Sequence, residues 1–458
     1  MTTTKNNEHK KLNFSSEREQ SQTCLNSAEH EKNQGRKVLN VPNKRELNQT
    51  CLDSAEREGL RPKGNVPNLR FPEFQGEWEK TKFGDIATGF DYGMNAAAKN
   101  YDGVNKYIRI TDIDEASSTY TDNDIVSPDG VLTDNYLVNN RDILLARTGA
   151  STGKSYLYKK SDGKLYYAGF LIRANVTTHD PYFVFSQLHT HRYWRWVSIM
   201  SARSGQPGIN SQEYSSFPIY ITSIEEENKI AKLLSLLDER IATQNKIIED
   251  LKKLKSAISK LLFTRKDLLE TTIRLADIAT LKNGYAFQSS KYNILGKWKI
   301  ITIANVSGRR YINEEDCNCI INLPNDIQDH QVLKEGDILI SLTGNVGRVS
   351  LCKSGAYLLN QRVGLLQIEG NIDKEFLYQV LSSRRFENSM VACGQGAAQM
   401  NIGKGDVENF VLPYSSNANN IHLVARILHS YDECIINELR ELTLLTMQKQ
   451  YFLAQMFI

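Results

Sequence analysis

Long apolar runs are absent from this sequence of 458 residues, in which no 18 consecutive residues are apolar. This excludes an ordinary transmembrane helix. The first residues, MTTTKNNEHKK, contain no apolar core of the kind a secretion signal needs. The seven cysteines are scattered without a paired C-x-x-C or a histidine cluster, so neither a disulfide framework nor a zinc site is supported. These absences predict a soluble, cytoplasmic protein with free thiols.

A strong excess of charge and a catalytic constellation are also lacking. The net charge of +3 permits nucleic-acid binding without arguing for it. The sequence contains no glycine-rich methyl-donor loop, no Asn-Pro-Pro-Tyr motif and no carboxylate-plus-lysine nuclease core. The length favours two or three domains. A multidomain protein without chemistry of its own is therefore expected, and no metal or cofactor is expected on this chain.

One amphipathic helix is predicted twice. In the first copy, at about 224–263, apolar residues recur in alternating steps of four and three from Ile230 to Leu262. Adding 194 to each of these ten positions gives a second copy from Val424 to Met456, and eight of the ten positions are apolar in both copies. The Asp-Glu pair at 238–239 returns at 432–433. This spacing is typical of the seam of a coiled coil.

The segments that precede these helices also repeat. The matching segments, in chain order and at offsets between 191 and 195, are Asp85-Ile-Ala-Thr88 with Asp277-Ile-Ala-Thr280, Tyr107–Ile113 with Ile300–Val306, Asp142–Gly149 with Asp337–Gly344, and Gly205–Asn210 with Gly396–Asn401. Short Ile/Leu/Val-rich runs that end in Gly, Asp or Asn indicate strands with tight turns. One helix is predicted in each copy, near Pro181–Ser201 and Lys374–Val391. Each unit is therefore α+β and about 150 residues long.

A glycine-containing loop follows the strand at 142–146. A Walker A loop has four residues between its glycines, whereas Gly149 and Gly153 enclose three, and Tyr156-Leu-Tyr158 indicates another strand rather than a helix. The pattern favours a β-turn with exposed amides and a basic tip that could contact DNA. A turn that only shapes the fold remains an alternative. The DNA-binding candidates in this loop and its repeat are Arg147, Thr148, Ser151, Thr152, Lys154, Asn345 and Arg348.

Further candidates are amide and basic side chains in two other segments. Glutamine can form two hydrogen bonds with adenine, which makes Gln206, Gln395 and Gln399 candidates for base reading. Asn210 and Asn401 occupy the same place in both copies. This favours a structural role, in which each side chain bonds its own backbone and so holds a turn together. A last candidate pair is Gln361 and Arg362, with Tyr167-Ala168 as the expected counterpart.

The stretch from His189 to Trp196 interleaves basic and aromatic residues. It could form a stacking or phosphate-binding surface. It also fits an amphipathic helix with Tyr193, Trp196 and Val197 on the core side, and this interpretation is favoured.

In its organisation the chain from about Phe71 onward resembles the specificity (S) subunit of type I restriction-modification systems. The resemblance rests on Asn65-Val-Pro-Asn-Leu-Arg-Phe-Pro-Glu-Phe with Trp78, the paired Asp-Ile-Ala starts, Gly-Asp-Ile-Leu with Thr-Gly, and the Ala-Ala-Gln-Met-Asn-Ile loop before the second long helix. It implies two target recognition domains that each read half of a split double-stranded DNA site. It also implies an antiparallel coiled coil that sets the spacing and docks two methyltransferase subunits. Restriction subunits would join them, and S-adenosylmethionine, ATP and Mg would be bound by those partners.

The resemblance and the repeat together predict a pseudo-two-fold arrangement. The expected divisions are a flexible polar extension at 1–70, recognition domains at 71–222 and 265–415, and long helices at 223–264 and 416–458. About 40 helical residues span roughly 60 Å, longer than one turn of DNA at about 34 Å. Two alternatives remain: a coiled-coil scaffold that binds protein, and a nucleotide-dependent enzyme that uses Gly149–Ser155.

The polar residues in the two seams suggest how the long helices align. One register places Lys255 opposite Glu438 and Gln244 opposite Lys449, so that the polar residues meet each other. Sliding by one heptad would increase the overlap but set Lys449 against Leu237. The first register is the prediction.

Overall fold

The computed structural model describes residues 64–202, 207–394 and 400–458. The predicted N-terminal extension lies outside these residues up to position 63. Its last residues, 64–70, belong to the folded part, because the backbone N–H of Trp78 donates to the Asn65 carbonyl (2.7 Å) and that of Leu69 donates to the Gln455 carbonyl (2.8 Å).

The two halves contain the same kinds of element in nearly the same order. The elements of the first half are β1 (Glu79–Lys82), α1 (Phe83–Ile86), β2 (Ala87–Tyr92), β3 (Ala97–Asn100), β4 (Lys106–Ile108), β5 (Val126–Asp129), β6 (Asp142–Ala146), β7 (Ser155–Leu157), β8 (Leu165–Tyr167), β9 (Leu171–Val176), α2 (Pro181–Gln187), α3 (His191–Ser201), α4 (Ser211–Ser215), β10 (Pro218–Ile221) and α5 (Ile224–Thr264). The elements of the second half are β11 (Thr271–Arg274), β12 (Ala279–Asn283), β13 (Trp298–Ile301), β14 (Asn318–Ile320), β15 (Val332–Leu333), β16 (Ile338–Ser341), β17 (Val349–Leu351), β18 (Tyr357–Leu359), β19 (Val363–Ile368), α6 (Lys374–Leu381), α7 (Arg384–Gly394), α8 (Lys404–Glu408), β20 (Val411–Tyr414) and α9 (Ala418–Gln455).

Two sheets have the same strand order in both halves, whereas the remaining strands form the sheet β14-β13-β18-β15 in the second half and the pairs β3-β5 and β4-β8 in the first. The order β2-β9-β6-β7 in the first half returns as β12-β19-β16-β17 in the second, with all neighbours antiparallel. The pair β1-β10 likewise returns as β11-β20. The predicted duplication of an α+β domain is therefore confirmed.

The prediction of one helix near Pro181–Ser201 and one near Lys374–Val391 is wrong, because each region forms two helices. Thr190 starts the second helix of the first pair, since its hydroxyl accepts a hydrogen bond from the Tyr193 N–H (3.4 Å). Ser383 does the same for Phe386 (3.5 Å). Hydroxyl side chains that cap a new helix favour a break at these positions.

The two long helices, α5 with 41 residues and α9 with 38 residues, pack against each other as an antiparallel coiled coil. Each helix also reaches both domains. Ile230 and Leu453 lie in the core of the first domain, whereas Leu262 and Val424 lie in the core of the second. In the part of the chain that the structure describes, no helix is long and apolar enough to cross a membrane.

The predicted register of the coiled coil is wrong by one heptad. Lys255 forms its ion pair with Asp432 (2.6 Å) and Lys449 forms its ion pair with Asp238 (2.6 Å). The residue that contacts Glu438 is instead Gln244, whose Nε2 donates a hydrogen bond to the Glu438 backbone carbonyl (3.0 Å). Because Gln244 and Lys255 are about 16 Å apart along the helix, Lys255 does not face Glu438.

Asp432 also joins the coiled coil to the second domain. The residue is 6% exposed, and its carboxylate accepts hydrogen bonds from Arg310 Nη1 (3.0 Å) and Gln379 Nε2 (2.7 Å) in addition to Lys255. Arg310 pairs with Glu375 as well (2.6 Å). Burial raises the pKa of Glu375, but the bonds from Arg310 and Gln379 outweigh it and hold the pKa below its usual value.

The first domain has a simpler version of this junction at Asp238, which is the equivalent of Asp432. Asp238 accepts a hydrogen bond from the Tyr182 hydroxyl and pairs with Lys449. Burial and the neighbouring carboxylate raise the pKa of Tyr182, so its hydroxyl stays protonated as a donor. The two Lys–Asp pairs are therefore related by the pseudo-two-fold axis, and each fixes the register beside its own domain.

Candidate nucleic-acid interface

The loop at 147–154 is the turn of a β-hairpin. Strands β6 and β7 pair antiparallel, with Leu145 opposite Ser155, and a short 3-10 turn at Gly149–Ser151 connects them. The chain continues from Gly153 into a strand, whereas a phosphate-binding loop leads into a helix whose N-terminus holds the phosphate. The predicted turn between strands is confirmed, and this geometry does not support the nucleotide-binding alternative.

Two buried tyrosine hydroxyls hold this turn in the first domain. The Tyr214 hydroxyl donates to the Ala146 carbonyl (2.6 Å) and accepts from the Gly153 N–H (3.2 Å). The Tyr193 hydroxyl donates to the Gly153 carbonyl (2.8 Å). Gly153 has φ +93°, and a Cβ there would lie 2.8 Å from Val197, so both its backbone and its surroundings require glycine.

The second domain holds the same turn with a different hydroxyl. Ala146 bonds Lys154 across the first turn (2.8 Å) as Ser341 bonds Arg348 across the second (2.9 Å), so Ser341 stands at the place of Ala146. The Ser341 hydroxyl donates to the Asn345 carbonyl and accepts from the Arg348 N–H (3.1 Å). The hydroxyl that fixes the turn thus comes from α4 in one domain and from the strand itself in the other.

Replacing Tyr214 with phenylalanine should lower the free energy of unfolding by about 0.5–1.5 kcal/mol, the usual net contribution of an intramolecular hydrogen bond, because the Ala146 carbonyl loses the hydroxyl and keeps only its bond from the Gly153 N–H (3.0 Å). Thermal or urea unfolding of the full chain measures the change. Tyr101→Phe, at an exposed position, is the matched control and should stay within about 0.5 kcal/mol of the parent. Equal effects of the two substitutions would contradict the assigned role of the Tyr214 hydroxyl.

The second predicted loop lies directly beside this turn in both domains. In the first domain the Gly149 N–H donates to the Pro207 carbonyl (3.0 Å) and the Ile209 N–H donates to the Arg147 carbonyl (2.9 Å). In the second domain Gly344 N–H bonds the Met400 carbonyl (2.9 Å) and Ile402 N–H bonds Leu342 (2.9 Å). Two segments that sequence reasoning treated separately therefore form one surface in each domain.

The polar residues of this second loop have different outcomes. Gln206, Gln395 and Gln399 lie outside the described residues. Asn210 accepts the Glu213 N–H (2.9 Å) and caps α4, which confirms its predicted role in holding the backbone. Asn401 differs, because its Oδ1 accepts the Thr343 hydroxyl (3.1 Å) and so bonds the neighbouring turn.

A third segment, the turn before β9 or β19, completes the surface. The Leu342 N–H donates to the Arg362 carbonyl (3.0 Å), and the Arg147 N–H donates to the Phe170 carbonyl (3.0 Å). The counterpart of Gln361-Arg362 is therefore Gly169-Phe170, and the prediction of Tyr167-Ala168 is wrong. The offset of the repeat is 192 residues at this turn, two fewer than in the long helices.

The candidate side chains differ in their access to solvent. Asn345, Gln361 and Arg362 are exposed, Thr152 is buried, and the half-buried candidates are Arg147, Thr148, Ser151, Lys154 and Arg348. The Thr152 hydroxyl donates to the Gly149 carbonyl (2.8 Å), so it stabilises the turn. Lys154 and Arg348 form ion pairs with acidic residues of their own domains, at 3.3 Å with Glu115 and 3.8 Å with Glu387.

Two aromatic residues that sequence reasoning missed accompany Arg147. The Arg147 guanidinium lies over the Tyr92 ring, 4.6 Å from its centroid. Tyr92 is 43% exposed and Phe170 is 58% exposed. The Tyr92 hydroxyl accepts a hydrogen bond from the Ser211 N–H (3.3 Å), and hydrogen bonding with Ser211 lowers the pKa of Tyr92. The first domain thus presents an arginine stacked on an exposed tyrosine, with the exposed Phe170 on the segment bonded to the Arg147 backbone.

The basic and aromatic stretch at 189–196 packs one face against the core and exposes His191, Trp194 and Arg195 on the other. Tyr193 and Val197 are buried and Trp196 packs against the same core, which confirms the favoured interpretation. The His189 ring lies between the Phe185 carbonyl and the Ser118 hydroxyl, 2.9 Å from each, and burial lowers its pKa to about 4. Among the residues that the structure describes, no group of three His, Cys, Asp or Glu side chains is placed to hold a metal ion.

Comparisons with known proteins identify relatives of both halves. A family model described as "Type I restriction modification DNA specificity domain" matches residues 75–253 and 270–446. The type I restriction enzyme MjaVIII specificity subunit of Methanocaldococcus jannaschii is 26% identical over 374 residues, which cover 75% of this chain and 83% of the relative.

Solved structures share the fold. The S subunit of a type I restriction-modification system from M. genitalium aligns with a TM-score of 0.55 at 16% identity, over 86% of this chain and 99% of that one. A chain from a study of complex assembly and conformational transition in the type I R-M system aligns with a TM-score of 0.50 at 16% identity, over 85% and 99%. At this identity the likeness concerns the fold alone.

Proposed function

Because this chain belongs to the family of type I restriction-modification DNA specificity domains, we propose that it recognises a split DNA site for a type I complex and performs no chemistry itself. Each domain reads one half of the site through the surface formed by its three adjacent turns. The coiled coil of α5 and α9 fixes the distance between the halves.

The observation that carries this proposal is that the two domains share their fold but differ in the side chains that their turns present. The two domains share the strand order of their main four-stranded sheet and pack on the same pair of long helices. Their turns nevertheless present different side chains at equivalent places, such as Phe170 and Arg362. Two domains of one fold with different surface side chains are suited to a DNA site made of two unlike halves, since base edges are distinguished by the side chains that contact them.

The partners follow from the family and are part of the proposal. Two methyltransferase subunits dock on the coiled coil and transfer the methyl group, and restriction subunits join the assembly in the cytoplasm. S-adenosylmethionine, ATP and Mg belong to those partners.

Mapping methylated adenines in a host that carries this chain and its methyltransferase tests the proposal. One split site with a spacer of constant length is the expected result. The purified complex should also bind that site with an affinity that falls steeply as salt is raised, because phosphate contacts release counterions. A continuous recognition sequence, or methylation that does not depend on this chain, would overturn the proposal.

An exposed apolar stripe on α5 supports the docking role. Leu236, Ile247, Leu254 and Leu261 are between 40% and 59% exposed and follow one face of the helix. The positions 194 residues later are Ser430, Glu441, Gln448 and Gln455, so α9 has no copy of this stripe. Exposed apolar patches of this kind mark interaction sites, and the proposed occupant is a methyltransferase subunit.

Leu254→Glu is expected to weaken binding of the methyltransferase by about tenfold or more, because a charge then replaces an apolar contact in the interface. Analytical ultracentrifugation or titration calorimetry with the purified methyltransferase measures the loss. Lys253→Glu, at the neighbouring exposed position, is the control and should retain most of the affinity. The thermal stability of the isolated chain should not change in either variant, and unchanged binding by L254E would exclude this stripe as the docking surface.

A further inference from the structure

The arginine of this surface occupies a different one of two adjacent positions in each domain. Arg147 and Leu342 occupy the first position, at the end of β6 and β16, and Phe170 and Arg362 occupy the second, in the turn before β9 and β19. Each domain therefore has one arginine and one apolar residue, on segments joined by a backbone hydrogen bond of 3.0 Å. In the first domain the arginine belongs to the residue that donates this hydrogen bond, and in the second domain it belongs to the residue that accepts it.

The surroundings of the arginine differ as well. Tyr92 pairs with Ile172 and Asn283 pairs with Gly364 in the corresponding strands, so Asn283 stands where the first domain has Tyr92. In the first domain the Arg147 guanidinium is stacked on Tyr92 at 4.6 Å, and its Nη1 reaches the Gly169 carbonyl at 3.4 Å. Stacking holds the plane of a guanidinium and leaves its N–H edge available for a planar partner.

A contact with phosphate would be expected to look the same in both domains, since the DNA backbone is chemically uniform. The basic tips Lys154 and Arg348 behave in this way, because both domains have a positive charge at that place. The arginine at the two adjacent positions does not. A side chain that changes place while the turn around it is retained is suited to reading a base.

We propose that Arg147 in the first domain and Arg362 in the second each read a guanine in the major groove, through its O6 and N7 atoms, and that their different placement makes the two half-sites unlike. Arginine with two hydrogen bonds to guanine is the most frequent specific contact of this kind. In the first domain the exposed Phe170 then supplies an apolar neighbour, which suits the methyl group of a thymine, whereas Leu342 is buried in the core of the second domain. This inference rests on the proposed function.

The test uses the complete complex of this chain with its methyltransferase, and the readout is methylation of a library of sites with each half randomised. Arg147→Ala should relax one guanine position in one half, with a loss of discrimination of about ten- to hundredfold, and leave the other half unchanged. Arg362→Ala should do the same in the other half. Arg147→Lys is the second variant: it keeps the charge but loses the fork, so it should also lose discrimination.

Two controls separate reading from general binding. Arg195→Ala, an exposed arginine on α3, should leave both half-sites unchanged. Lys154→Ala should weaken binding evenly across sequences and reduce the dependence on salt. Thermal unfolding of each variant shows whether its fold is kept.

The outcomes distinguish this inference from the function it rests on. If the parent complex methylates no split site, the proposed function fails. If the parent methylates a split site but folded Arg147 and Arg362 variants retain its sequence in full, the function stands and the assigned readers are wrong. An even loss of affinity without any relaxed base pair would make both arginines phosphate contacts and overturn the inference.

Discussion

Replacing Asp432 with alanine is expected to lower the free energy of unfolding by about 3–5 kcal/mol, the usual effect of removing one partner from a buried ion pair. Asp432 is buried where α9, α5 and the second domain meet. Its carboxylate accepts hydrogen bonds from Lys255, Arg310 and Gln379 at the same time. Without it, two cationic side chains and an amide lose a shared acceptor. Chemical denaturation of the full chain, followed by circular dichroism, measures the change.

Glu433→Ala provides the matched control, because it removes a neighbouring acidic side chain that is half-buried at the next position of the same helix. A loss below about 1 kcal/mol is expected there. Asp238→Ala should fall between the two, since Asp238 is bonded by Lys449 and Tyr182 at a more exposed place. If Asp432→Ala were no more harmful than Glu433→Ala, the junction would not be the anchor of the second domain.

Deleting one heptad from each long helix should abolish recognition of the original DNA site. Removal of 243–249 together with 437–443 takes out facing segments, including the Gln244–Glu438 contact, and keeps both Lys–Asp pairs. The helices shorten by about 10.5 Å, which is about three base pairs of DNA and roughly 100° of its helical turn. The two domains then no longer meet both halves, and preference for the site should fall by at least about a thousandfold, towards non-specific binding.

Binding assays with DNA duplexes of graded spacer length would measure this effect. The control exchanges the same two heptads between the helices without changing their length, and it should keep both the site and the spacing. Unaltered recognition by the shortened chain would show that the coiled coil does not set the distance.

The repeating parts of the fold could be predicted because periodicity and duplication are visible in the sequence. The seam from Ile230 to Leu262 returns at a constant offset, and it gave both long helices nearly to the residue. The register could not be obtained in the same way. The predicted register pairs the polar residues of the two seams with each other. In the structure Lys255 and Lys449 instead pair with Asp432 and Asp238 at the edge of the seam, where residues of the domains also bond the two aspartates.

The surface was predicted in fragments. The hairpin turn and the loop before α4 were each identified, but their contact through Gly149 and Pro207 joins residues 58 positions apart and leaves no local signal. The same holds for Tyr92 beneath Arg147. A bulge between Gly89 and Asp91 shifts the register of β2 and sets the place of Tyr92, and such an irregularity has no periodic signature. The side chains that surround a candidate base-reading residue therefore become visible only in the folded structure.

The end of α9 has a consequence for synthesis of the protein. Phe457 packs on Trp78 and Phe183 inside the first domain, 6.1 Å and 5.4 Å away between ring centroids. On the ribosome, the first domain is made more than 200 residues before that phenylalanine. At about 5–20 residues per second, the nascent domain waits roughly 10–50 s with an open core. We expect chaperone binding during this interval, until Phe457 packs into the core of the first domain.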